Sequence, residues 1–138
     1  MPKPKAVILC IDDATIALEA SKELLEISGY EVLTAQSGKE GLELFLSHPI
    51  DAVVLDYQMP GMNGNRVASQ MRKVKRHVPI LMLSGYSELP PDEIGCVDAL
   101  LYKGESWSTV LSTLERLLNL HLPFFARWWE DWKHQLRS

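Results

Sequence analysis

The sequence predicts an α/β domain, a parallel sheet covered by helices on both faces. Two observations predict it. Short apolar runs bounded by charge or turn residues, such as Ala6–Ile11 and Pro79–Ser84, are too brief for helices and read as strands buried on both faces. Between such runs lie segments whose apolar residues recur at helical spacing. Strands alternating with helices require right-handed crossovers, and these make the sheet parallel.

The elements follow in order. Ala6–Ile11 is the first strand. Thr15–Ser28 is the first helix, with Ile16, Ala17, Ala20, Leu24, Leu25 and Ile27 read as largely one side and Gly29 as the C-cap. Glu31–Ala35 is the second strand. Ser37 is placed to cap a helix over Lys39–Ser47, with Leu42, Phe45 and Leu46 inward. Asp51–Asp56 is a third buried strand that ends in a carboxylate. Asn65–Val74 is helical, with Val67, Met71 and Val74 on its inner face. Pro79–Ser84 and Asp98–Tyr102 are the fourth and fifth strands. Between them, Pro90-Pro91 leaves room for a turn or two of helix near Pro91–Ile94, so a helix there is expected to be short or missing. Ser106–Leu118 is a further helix, with Val110, Leu111, Leu114, Leu117 and Leu118 in one stripe.

Composition narrows the function. A chain of 138 residues suits one domain. The net charge of −4 and the absence of a basic run exclude the electrostatic footprint of a nucleic-acid binder. Cys10 and Cys96 have neither metal-site nor disulfide-framework spacing, and both read as reduced thiols. The apolar run after the N-terminal lysines is shorter than a signal core, and no run is long enough to span a membrane. A cytoplasmic location is therefore expected. His48, His77, His121 and His134 are scattered and read as surface residues.

The chemistry gathers at strand ends. Asp12 and Asp13 follow the first strand, and Asp56 closes the third. In an open parallel sheet, ligands bind at that edge. If the two strands are neighbours, three carboxylates converge and repel one another, and a hard dication such as Mg²⁺ relieves them. Ser84 and Lys103, at the ends of the fourth and fifth strands, add a hydroxyl and an ammonium. A dication together with Lys103 balances the three carboxylates. That pocket suits aspartyl phosphorylation, in which a carboxylate is the nucleophile and the protein positions and neutralises charge. Taken alone, Asp12 reads as well as a helix cap, and Lys103 as a solvated lysine.

Four segments carry a resemblance: Ile11–Asp13 (I-D-D), Asp56–Gly64 (D-Y-Q-M-P-G-M-N-G), Leu83–Gly85 (L-S-G) and Tyr102–Gly104 (Y-K-G). In this order and at these separations they resemble the receiver domains of two-component response regulators, over about residues 5–119. The resemblance implies a flavodoxin-like fold with strand order 2-1-3-4-5. It implies Asp56 as the phosphoacceptor, and Mg²⁺ held by Asp13, by Asp12 through water, by Asp56 and by the backbone carbonyl of Gln58. Ser84 would bond the phosphoryl group and Lys103 would pair with it. The donor would be a phosphohistidine on a sensor histidine kinase or phosphotransfer protein, and the output an unidentified downstream protein. The chain would not be an enzyme, beyond its own phosphorylation and dephosphorylation.

The sequence departs from the family in three places. Gly104 stands where the family usually has a proline after the lysine. That lysine–proline bond is commonly cis, and a cis bond without proline costs ~3–4 kcal/mol, so another loop path is expected. Leu100 stands where the family has its aromatic switch residue. Tyr102 is not expected to take over, on the argument that strand neighbours face opposite sides. The helix between the fourth and fifth strands is the third departure.

The receiver is expected to occupy residues 1–121, with residues 122–138 forming a helical tail rather than a second domain. Phe125, Trp128, Trp129, Trp132 and Leu136 form an amphipathic stripe there. Three placements are weighed: packing on the same domain, a dimer or partner interface, and a membrane surface. The mixed charges of the polar face argue against the last. Two other functions are also weighed. A receiver-like module could bind partners without phosphorylation. An aspartate-nucleophile phosphatase fits poorly, because Asp12 and Asp13 are adjacent and no cap domain is available.

Overall fold

The computed structural model describes residues 5–85 and 95–119. Five parallel strands form one sheet: β1 (Val7–Ile11), β2 (Glu31–Ala35), β3 (Ala52–Asp56), β4 (Ile80–Ser84) and β5 (Ala99–Tyr102), in the order β2-β1-β3-β4-β5. The helices are α1 (Thr15–Ile27), α2 (Gly38–Ser47), α3 (Gly64–Val74) and α4 (Trp107–Asn119). α1 and α4 pack on one face with Ile8, Cys10 and Val54. α2 and α3 pack on the other with Leu9, Ile11, Val53 and Leu55. β1 and β3 are buried along their whole length, which accounts for their unbroken apolar sequence. The expected sheet order is the one observed. The expectations for a helix near Pro91–Ile94 and for the tail over 122–138 lie outside the described residues.

Local chemistry sets the helix ends. Gly29, at φ 98°, ends α1: its N–H donates to Glu26 O, and that of Tyr30 to Leu25 O. Ser37 Oγ accepts from Glu40 N at 3.1 Å, and Glu40 Oε2 accepts from Gln36 N at 3.1 Å, a reciprocal cap for α2. Asn63 Oδ1 accepts from Arg66 N at the start of α3. Lys75 Nζ donates to Phe45 O and His48 O, which satisfies carbonyls at the end of α2.

Three inward-facing assignments need correction. In α1 the core takes Leu18 and Leu25, while Ile16, Leu24 and Ile27 are exposed. The apolar residues of this helix cover about half of its circumference, from Ile16 round to Leu18 and Leu25, so spacing alone does not mark which part of that arc the sheet selects. In α2, Phe45 is buried but Leu46 is exposed; in α3, Val67 and Met71 are buried but Val74 is exposed. Small residues take the closest approaches. Gly41 lies against the Ile11 side chain, and Ala68 is fully buried.

Candidate functional site

The chain reverses direction across the sheet between β1 and β3, because β2 lies outside β1 on one side and β3 on the other. Such a reversal opens a crevice at the carboxyl ends of the strands. Asp12 follows β1, and its backbone N–H still bonds Ala35 O at 3.1 Å. Asp56 is the last residue of β3 and is only 3 % exposed. Carboxylate oxygens of Asp12, Asp13 and Asp56 lie within 4.8 Å of one another. The ladder continues past the strand ends: Tyr57 N donates to Leu83 O at 2.9 Å, and Lys103 N donates to Ser84 O at 2.8 Å. Residues 57, 84 and 103 are thereby held at one edge.

Lys103 Nζ lies 2.8 Å from Asp56 Oδ1, reaching from the loop after β5 across β4. The backbone N–H of Gln58 donates to the same oxygen at 3.3 Å. Burial raises the Asp56 carboxyl above its ordinary range; the Lys103 hydrogen bond opposes this rise and the Asp12 charge adds to it. Ser84 is buried at the end of β4. The side-chain oxygen of Gln58 reaches Gly85, within 3.3 Å of where a Cβ would stand. All six sequence-selected positions therefore share one edge. Asp12 does not cap α1 directly. Its Oδ1 accepts from Ala14 N at 2.9 Å, and Ala14 is the N-cap residue without a side-chain cap bond.

The segment after Asp56 folds tightly. Gly61 has φ 83°, and Gly64 N donates to Tyr57 O at 2.7 Å. A Cβ on Gly64 would stand 2.6 Å from Asp56 O, so glycine lets α3 start against β3.

Two features went unread in the sequence. The Gln58 N–H contact to Asp56 is a backbone contact that residue types do not signal. The ring of Tyr102 folds over Gly104, and a Cβ there would meet Tyr102 Cδ2 at 2.8 Å. A turn closed by Glu105 N to Tyr102 O at 2.9 Å follows, so Lys103 reaches Asp56 without proline after it. The expectation that Tyr102 faces away from the Leu100 side is corrected. Positions 100 and 102 are two apart and share a face of β5, and Tyr102 is the register partner of Ser84.

A clustered set of hard oxygens, one buried, suits Mg²⁺ by donor chemistry. Among the described residues no helix is long and apolar enough to cross a membrane.

Comparison with known proteins agrees with this architecture. Residues 8–99 match the family model described as the response regulator receiver domain. The chain belongs to that family. It is 40 % identical over 119 residues to response regulator MprA of a Mycobacterium species (strain KMS), covering 84 % of this chain and 52 % of that protein. The chain thus spans about half the length of the curated relatives it matches. Among solved structures, the response regulator protein TrrA from Thermotoga maritima in complex with Mg²⁺–BeF is 34 % identical. Its TM-score is 0.77, over 81 % of this chain and 98 % of that one. TrrA in complex with the histidine kinase ThkA is 35 % identical with a TM-score of 0.76, over 82 % and 98 %.

Proposed function

We propose that the chain is a phosphoacceptor switch in which Asp56 takes a phosphoryl group from a phosphohistidine on a histidine kinase or phosphotransfer protein. The observation that carries this is a buried carboxylate bonded to Lys103 with two more carboxylates beside it. A carboxylate oxygen of Asp56 attacks phosphorus, the P–N bond breaks, and the imidazole leaves with the electron pair and takes up a proton. Asp12, Asp13, Asp56 and the Gln58 carbonyl would hold Mg²⁺, which when bound neutralises charge on the transferring oxygens. Lys103 would exchange its bond to Asp56 for one to a phosphoryl oxygen, and Ser84 would donate its hydroxyl to the phosphoryl group. The solved relative described with Mg²⁺–BeF, and the one described with a histidine kinase, support the metal and the donor class. The receiver takes residues 1–121, acts in the cytoplasm and signals by protein contact.

Intact mass after treatment with acetyl phosphate tests this, with Mg²⁺ or with EDTA. The expected result is a gain of one phosphoryl group that requires Mg²⁺ and disappears in Asp56→Asn. No gain under any condition would overturn the switch and leave a docking module that works without phosphorylation.

A further inference from the structure

Helices α2 and α3 carry opposite charges on one face of the molecule. No Asp or Glu occurs from Tyr57 to Gly85, while Arg66, Arg72, Lys73, Lys75 and Arg76 fall within eleven residues. Arg72 and Lys75 are engaged in contacts within the domain. Arg66, Lys73 and Arg76 are exposed, and none has a carboxylate partner among the described residues. α2 carries Glu40 and Glu43, both exposed. Between the two helices lies a groove of about 430 Å³ lined by Leu42, Phe45, Leu46, Gln70, Lys73 and Val74. Leu46 is 59 % exposed and Val74 54 %, so the groove has an open apolar edge.

Helix geometry places the charges. α2 buries Gly38, Gly41 and Phe45, and at about 100° per residue Glu43 stands nearly opposite that side. α3 buries Gly64, Val67, Ala68 and Met71, and Lys73 stands nearly opposite those. The helices run side by side in the same direction: Gly38 lies against Val67, and Lys75 Nζ bonds Phe45 O. Lys73 is therefore level with Glu43, and Leu46 and Val74 lie between an acidic row and a basic row.

We propose that this face joins two copies of the chain in a two-fold dimer. An axis along the groove sets α2 of each copy over α3 of the other without changing level. Glu43 of each copy then meets Lys73 of the other, and Leu46 and Val74 of both close the centre. Lys39 comes level with Ser69 and Gln70, not with a cation, and Arg66 comes within a turn of Glu40. The occupant follows from the charges. An acidic partner is repelled by the α2 row and a basic one by the α3 row, whereas a second copy turned about the groove complements both. The apolar centre rests on two exposed side chains per copy, so the dimer dissociates on dilution.

The test is sedimentation of the full, unphosphorylated chain over a range of concentration and salt. The expected result is reversible dimerisation that weakens as salt rises. Val74→Asp should abolish it. Glu43→Lys and Lys73→Glu should each raise the dissociation constant ~10-fold or more, because like charges then face each other. The double variant Glu43→Lys with Lys73→Glu should restore the parent behaviour, which a damaged fold would not do. Arg116→Glu, exposed on α4 across the sheet, changes net charge as Lys73→Glu does and should leave dimerisation unchanged. All these positions are exposed, so the variants keep the fold. A monomer at every concentration would overturn the proposal. A dimer indifferent to Val74→Asp and to both charge reversals would place the contact elsewhere on the chain and overturn it too. So would a double variant that stays monomeric, or an Arg116→Glu variant weakened as much as Lys73→Glu.

Discussion

Replacing Arg72 with methionine should destabilise the fold far more than its surface position suggests. Its guanidinium donates to Cys96 O at 2.9 Å, Arg76 O at 2.8 Å, Val78 O at 3.1 Å and Asp98 Oδ2 at 2.6 Å. Asp98 Oδ2 also accepts from Ile80 N at 2.8 Å. One side chain thus ties the end of α3 to the turn before β4 and to the approach to β5. Hydrogen bonds to a charged group are each worth ~1.5–3 kcal/mol, and breaking a buried ion pair costs ~3–5 kcal/mol. The bonds share one donor group and are not additive, and both partners of the ion pair are one quarter exposed, so water replaces part of the loss. A net loss of about 2–3 kcal/mol remains, or roughly 10 °C in Tm for a domain of this size. Methionine keeps the apolar stem, so the loss reports the guanidinium. Urea unfolding followed by far-UV circular dichroism measures it. Arg72→Lys should recover less than half, because an ammonium lacks the planar fork that spans these acceptors. A loss under about 1 kcal/mol for methionine would refute the reasoning and indicate that water serves these carbonyls equally well.

Three further outcomes follow from the geometry. Asp56→Asn, measured in EDTA, should be more stable than the parent near neutral pH. Burial raises the native carboxyl above its ordinary 3.8, so the native state binds the proton more tightly than the unfolded one. Stability of the parent therefore falls as pH rises from that value through the raised one, and the gain in Asp56→Asn should vanish at lower pH; an equal gain at every pH would contradict this. Gly64→Ala should cost ~1–3 kcal/mol, because its Cβ would press on Asp56 O and the Tyr57 Cα, whereas Gly95→Ala, with nothing within 4 Å, should be close to neutral. Thermal unfolding of the pair decides it. Maleimide should label Cys96 and spare Cys10, which is buried with its thiol pushed up to about 12; rapid double labelling of the native protein would contradict this.

The strands were legible because burial on both faces forces unbroken apolar runs, and two caps because Ser37 and Gly29 carry local chemistry; the Asn63 cap of α3 was not read. That Asp12, Asp13, Asp56, Ser84 and Lys103 would meet was legible because a parallel sheet gathers strand ends at one edge, so a residue's place in a run fixes its place in space; Gln58 entered through the family resemblance alone. The core side of α1 was not legible. Its apolar residues spread over about half of the circumference, and only the sheet decides that Leu18 rather than Ile16 is buried. Arg72 was one of 14 basic residues, and nothing local distinguishes it from the rest. Its role depends on Cys96 and Asp98, more than twenty residues away in the chain.

The contact between Lys103 and Asp56 joins a peripheral element to the middle of the sheet. β5 is one of the two edge strands, and none of its residues is fully buried, whereas β3 is buried throughout. The strut passes over β4, so the outermost strand is moored to a charge two strands inward. Whatever alters the charge at the centre alters the tension on that mooring first. Under the proposed function, the rim of the molecule is where a partner would read an event at a carboxylate out of its reach.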